Sequence, residues 1–281
     1  MARYGQGPRA TRYTLGSMLR TVCATRYVTP LREGGSLPAI VEADDLGLYV
    51  LKFRGAGQGV LALVSELIAG EIGRALGLRI PELVLVEVTD ALGRNEPDAE
   101  IRHLLQSSIG LNLALDYLPG STMFNPAARD RADSTVASEA VWFDAFVTNV
   151  DRTVKNPNLL YWHKNIYLID HGAALYFHHN WPADLEGLEK AAESAFTPIR
   201  QHVLLRWANT IEKASEAACA CLSSAKFVEI LESVPDDWLL PEPGFPTPAA
   251  KRAGYVAYFT RRLDASANFV QEALRARTEL V

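Results

Sequence analysis

Asn149-Val150-Asp151-Arg152-Thr153-Val154-Lys155-Asn156-Pro157-Asn158 is followed, a short distance on, by Ile169-Asp170-His171-Gly172. The first stretch is a charged loop holding three asparagines, set between an apolar helical run and a strand. Asn, Asp and Pro also dominate ordinary turns, so composition alone leaves a plain turn open. The second stretch ends an apolar strand on an aspartate, and an aspartate buried there without a partner would be costly. Between the two lie short extended runs near Leu159–Tyr161 and Ile166–Ile169, which bracket a turn at Trp162–Asn165. A strand pair of that kind brings Asp170, nineteen positions after Asp151, back to the same cleft. Gly172 then lets the chain turn away.

Upstream of the loop, Ser134 to Thr148 reads as a helix, with Ser134 as its cap and Trp142, Phe143 and Phe146 as core. Residues 25–53 read as strands. Pro38–Ala43 and Leu48–Phe53 are two extended runs around the turn residues Asp44-Asp45-Leu46-Gly47, which predicts a hairpin. Lys52 stands in its second strand, and Gly34-Gly35-Ser36 precedes its first. A glycine-broken loop, Gly55-Ala56-Gly57-Gln58-Gly59, leads into Val60, Leu61, Val64, Leu67, Ile68, Ile72, Ala75 and Leu76 at helical spacing, stopped at Gly77. Leu83–Val88 and Leu111–Leu118 are further strands, the second ended by Pro119-Gly120. Downstream, helices are expected over 197–222, 224–232 and 248–278, with a loop from Pro235 to Pro248 that holds five prolines.

The chain has 281 residues, 48% hydrophobic and 22% charged, which suits a soluble globular protein and excludes a disordered or collagen-like one. No window approaches about 18 uninterrupted apolar residues, so no membrane span is expected. Three cysteines, Cys23, Cys219 and Cys221, argue for a reducing compartment, and a cytoplasmic location is expected. The net charge is −5, but the first 32 residues hold six arginines and no acid, so +6 there leaves −11 for the rest. That acidic remainder argues against nucleic-acid binding. The basic start suits an arm packed on the domain, a transit segment, or an arm for an anionic partner.

Moving a phosphoryl group asks a protein chiefly for position and charge. A lysine must meet the phosphates that stay behind, a carboxylate must hold that lysine, and hard oxygen ligands must hold magnesium. A further carboxylate must orient the acceptor hydroxyl and take its proton. The segments supply such parts in order: Lys52, a glutamate in the next helix, the Asp151-x-x-x-x-Asn156 spacing, and Asp170. Glu66 and Glu71 compete as the partner of Lys52 and lie about 140° apart around the helix, so only one can face it. Asn158 competes with Asn156. Taken singly, Lys52 also suits an edge-strand lysine and Glu66 a surface glutamate.

Together these segments resemble the HipA-like branch of the protein-kinase-like superfamily, with the Asp-Arg…Asn and Ile-Asp-x-Gly pattern that phosphoinositide kinases share. The resemblance covers most of residues 25–175: Val50-Leu51-Lys52-Phe53, Glu66 through Leu76-Gly77-Leu78 to Pro81, Asp151 to Asn156, and Ile169-Asp170. It implies an α+β, two-lobed protein-kinase-like fold. A basic arm would occupy 1–24, a strand-rich N-lobe with one helix 25–118, and a mainly helical C-lobe 119–281. It implies ATP and magnesium as cofactors. Lys52 would bind the ATP phosphates, Glu66 would pair with it, and Asp151 would orient or deprotonate the acceptor. Asn156 and Asp170 would hold the metal. Asp116-Tyr117-Leu118 would be the hinge against adenine, and Gly34, Gly35 and Ser36 would cover the phosphates.

The resemblance is not complete. There is no G-x-G-x-x-G loop between the first strands. Asn149 stands where typical protein kinases carry a histidine, Thr153 where HipA carries one, and His171 in place of the usual phenylalanine. The family implies a protein serine or threonine as acceptor. A small-molecule or lipid hydroxyl, or a nucleotide-binding regulatory module without turnover, is the alternative.

Overall fold

The computed structural model describes residues 19–31, 37–57, 59–94, 96–128 and 130–280. Gly34, Gly35 and Ser36, and most of the N-terminal arm, lie outside the described residues.

Strand β1 (Thr21–Pro30) is followed by the expected hairpin, β2 (Ala39–Ala43) and β3 (Leu48–Lys52), in antiparallel register from Ala39 opposite Leu51 to Glu42 opposite Leu48. Asp45 shapes the turn, its carboxylate accepting from Gly47 N at 2.9 Å. Helix α1 (Val60–Ala75), β4 (Leu83–Val88), α2 (Asp90–Gly93), α3 (Ala99–Ser107) and β5 (Gly110–Asp116) complete this part. The strands close into a barrel in the order β1-β2-β3-β5-β4, with β1 and β4 parallel. The sequence pattern anticipates one helix here; the described residues hold three. Asp98 caps α3 by accepting from Glu100 N and Ile101 N. Ile101, Leu104 and Leu105 do stand at helical spacing on α3 and pack on the barrel core, but the stripe spans a single turn.

Side chains alternate across a strand, and here the alternation divides two cores. Ala39, Val41, Tyr49, Leu51, Val84, Val86 and Ala114 fill the barrel. Leu83, Leu85 and Leu113 point the other way and join a larger core with α1 and the helical body. Gly70 lets α1 lie close on β4, since a Cβ there would stand 2.9 Å from Leu83 Cδ1.

β1 begins at Thr21 and buries Val22 and Ala24 in the barrel, so the arm expected over 1–24 gives way to strand within its last residues. Two arginines of the basic first 32 residues meet the domain's own acids. Arg20 reaches Asp45 at 2.6 Å and Glu82 at 2.9 Å, and Arg26 pairs with Glu42.

The remainder is mainly helical. A small sheet, β6 (Thr122–Met123), β7 (Leu159–Trp162) and β8 (Asn165–Leu168), shares a core with α4 (Ser134–Phe146) through Leu159, Ile166 and Leu168. The β7–β8 turn places His163 and Lys164 both at positive φ, the geometry a tight two-residue hairpin requires. Helix α4 is capped by Asp133, one residue before the expected Ser134. Helices α5 (Leu185–Ala192), α6 (Ile211–Cys221), α7 (Ser224–Glu232), α8 (Pro248–Asp264) and α9 (Ser266–Leu280) follow. The single helix expected over 197–222 is instead two 3₁₀ turns, Thr197–Gln201 and Leu205–Trp207, and then α6. The last helix breaks at Ala265 into α8 and α9, and α5 had no counterpart among the expected elements.

No helix among the described residues is long and apolar enough to cross a membrane.

Candidate active site

The end of β3 delivers Lys52 to the junction between the barrel and the helical body. Its side chain is 13% exposed, and Nζ lies 2.5 Å from Asp170 Oδ1 and 3.4 Å from Glu66 Oε2. Glu66, in the second turn of α1, is 1% exposed. Glu71 faces Arg74 at 3.4 Å, so Glu66 is the glutamate of this helix that stands against Lys52.

Burial pulls the Lys52 ammonium down, but the charges of Glu66 and Asp170 outweigh it and raise it above the usual lysine range. Burial pushes the Glu66 carboxyl up; Lys52 and the hydrogen bonds from His171 overcome this and hold it at about 2. Glu66 Oε2 accepts from the backbone N–H of His171 at 2.9 Å, and Oε1 faces His171 Nδ1 at 3.2 Å.

Asp170 follows β8 in the left-handed region, φ 56°, a conformation that aspartate tolerates better than most residues. Ile169 N donates to Asn158 O at 3.1 Å, which ties this return to the polar loop. The loop is folded on itself. Asp151 Oδ2 accepts from Asn156 Nδ2 at 2.7 Å and from Asn158 Nδ2 at 3.4 Å. Burial, then the charge of Asp170, raises the Asp151 carboxyl, while its asparagine donors and Arg152 oppose the rise.

A group below the loop was not singled out by motif. Asp144, in α4, is fully buried and takes Arg152 Nε at 2.6 Å, His202 Nε2 at 2.8 Å and Asn149 Nδ2 at 2.9 Å. Burial would raise its carboxyl, but Arg152 and His202 hold it well below the usual range. Arg152 also donates to the carbonyls of Asn158 and Ile169. One guanidinium therefore pins the end of the polar loop to the return that carries Asp170, and Asp144 holds that guanidinium. An aspartate within the apolar run 140–147 is the available signal. Arg262 of α8 was likewise missed: it is fully buried and donates to the carbonyls of Ala145 and Phe146 at the end of α4.

Two of the three expected hinge residues have their N–H groups engaged, Asp116 by Glu82 O at 2.8 Å and Tyr117 by Leu48 O at 3.0 Å. The expected segment thus leaves Leu118 N–H as its free backbone donor among the described residues.

The donor set suits a hard divalent cation. Asn156 commits Nδ2 to Asp151, which leaves its amide oxygen as an acceptor. Asp170 commits Oδ1 to Lys52 and is 41% exposed. Asn158 is nearly buried and fits less well. Among the described residues no cluster of three or more His, Cys, Asp or Glu could hold a metal alone. Two protein oxygens completed by phosphate and water are the usual way magnesium is held.

A small barrel that presents a buried lysine–glutamate pair to an aspartate returned from a helical body has the build of a protein-kinase-like fold. The crystal structure of a proinflammatory kinase, CtkA, from Helicobacter pylori matches it with a TM-score of 0.50 at 13% identity, covering 92% of this chain and all of that one. The Golgi casein kinase with Mn/ADP bound is also similar, at 12% identity and a TM-score of 0.45, covering 93% of this chain and 74% of that one. The chain belongs to the HipA-like kinase family, whose model matches residues 25–266. No curated protein matches the sequence.

Proposed function

We propose that this chain transfers the terminal phosphoryl group of ATP to a hydroxyl, in a cleft between a strand-rich lobe (25–118) and a helical lobe (119–281). The acceptor is a protein serine or threonine, as the family suggests. The observation that carries the proposal is Lys52 Nζ held between Glu66 and Asp170, with Asp151 close enough for Asp170 to raise it.

Lys52 binds the phosphates that remain on the nucleotide, and Glu66 holds the ammonium so that it does not wander. Asp151 aligns the incoming hydroxyl and takes its proton as the new bond forms. The raised carboxyl makes Asp151 a better base than an ordinary aspartate, and its two asparagine contacts fix its direction. Asn156 and Asp170 are the residues that would hold magnesium. The ion, when bound, neutralises charge on the phosphates. Arg152 keeps Asp151 and Asp170 in register by gripping the backbone at Asn158 and Ile169.

ATP consumption by the wild-type protein, compared with Asp151→Ala and Asp170→Asn, tests this. Turnover lost in both variants, with ATP binding kept in Asp151→Ala, is the expected result. Wild-type turnover no faster than that of either variant leaves a nucleotide-binding module and overturns the enzyme.

A further inference from the structure

His171 follows Asp170 and is fully buried. Its ring stands edge-on to Phe143, with centroids 5.6 Å apart. Nδ1 lies 3.2 Å from Glu66 Oε1, and the backbone N–H of the same residue donates to Glu66 Oε2 at 2.9 Å. Nε2 is buried and has no hydrogen-bond partner among the described residues. Glu66 is ionised beside Lys52 and can only accept, so Nδ1 is the donor.

We propose that His171 is a positioning residue that grips Glu66 from the metal-binding turn, so that the carboxylate stays charged and aimed when Lys52 turns to the nucleotide. This rests on the phosphotransfer assignment above. Lys52 Nζ lies between the Glu66 and Asp170 carboxylates. Were the Lys52 ammonium engaged by a phosphate instead, a buried Glu66 with no other donor would be costly to keep ionised. The two donors of His171 meet that need. They also link α1 to the Asp170 turn through one residue, so the element carrying Glu66 and the turn carrying Asp170 hold a fixed relation. A phenylalanine at this position would fill the space against Phe143 but supply only the backbone donor.

Three variants separate this role from packing. Asn places its δ nitrogen where His places Nδ1, Gln places one nearer to Nε2, and Phe keeps a ring with no donor. The readouts are MgATP dissociation constants by calorimetry, ADP release with water as acceptor, and melting temperature. Lys52→Ala and Asp170→Asn are measured alongside. His171→Asn is expected to keep most of the wild-type kcat/KM for ATP. His171→Phe and His171→Gln are expected to lose about tenfold to a hundredfold, the worth of one hydrogen bond to a charged group. Loss in the Asn variant with retention in the Phe variant would mean that the ring acts by packing, and would overturn the proposal. Should His171→Phe fail to fold, the Asn and Gln pair still decides: equal values overturn it. If Lys52→Ala and Asp170→Asn change neither binding nor turnover, the phosphotransfer assignment itself fails, and this proposal with it.

Discussion

At the scale of single residues the site is a balance of a few charges in little solvent. Lys52 sits between two carboxylates, and Glu66 has three donors around it: the Lys52 ammonium and the side chain and backbone of His171. Lys52→Ala therefore removes the proposed phosphate ligand yet leaves Glu66 partly satisfied. It should weaken MgATP binding by more than tenfold while costing about 1–3 kcal/mol of stability, the penalty for one lost partner of a buried polar group. Calorimetry and urea unfolding on the same sample check both numbers, and unchanged affinity would contradict the phosphate role. Asp151 gives a signed test of its surroundings. Burial and Asp170 raise its carboxyl while Asn156 lowers it. In the metal-free protein, a carbon-13 titration should find Asp151 above the ordinary 3.8. Asp170→Asn should move it down and Asn156→Ala should move it up. The reverse order would mean that these neighbours do not face it.

At the scale of elements, local rules hold wherever the pattern is strong. The hairpin at Asp44–Gly47, the stripe of α1 and the strand Leu83–Val88 follow from period and turn chemistry alone. The 197–222 run fails for a physical reason. His202 leaves the helical path to reach Asp144, and the backbone carbonyl of Arg152 takes Val203 N–H at 3.1 Å. A tertiary demand thus breaks a segment whose composition favours helix, and no local signal marks it. The start of α4 offers a quantitative check. Asp133 accepts from Thr135 N at 2.8 Å and Val136 N at 3.4 Å, while the Ser134 hydroxyl turns to Asn209. Asp133→Ala should cost about 1 kcal/mol, the usual worth of a cap. Ser134→Ala, measured by the same urea unfolding, should cost less. A larger loss at Ser134 would return the cap to the residue that the sequence alone favours.

For the whole molecule, Lys52, Glu66, Asp151, Asn156 and Asp170 stand out in the sequence as candidates because their types and spacing suit one reaction, and the structure sets Lys52 against Glu66 and Asp170, and Asn156 against Asp151. Asp144, His202 and Arg262 do not stand out, because a buried support is chosen by its neighbours in space, and a single sequence carries no mark of those neighbours. These supports make acid the solvent condition to which the fold is most exposed. Glu66 is held at about 2 against an ordinary 4.5, and Asp144 is also lowered. A carboxyl whose folded value is depressed stabilises the fold fully above its unfolded value, and the contribution fades as pH falls toward the folded one. The window for Glu66 therefore runs from about 4.5 down to about 2. Asp151, being raised, contributes with the opposite sign. Unfolding free energy from urea titrations at pH 7, 4 and 3 should drop across that window by an amount on the order of a few kcal/mol. Glu66→Gln cannot titrate, so it should start less stable at pH 7 and lose less on acidification. The difference between the two curves isolates Glu66 from the many surface acids common to both. Parallel curves would mean that the Glu66 charge is not what binds the barrel helix to the Asp170 turn, and would sever the link on which the geometry of the cleft depends.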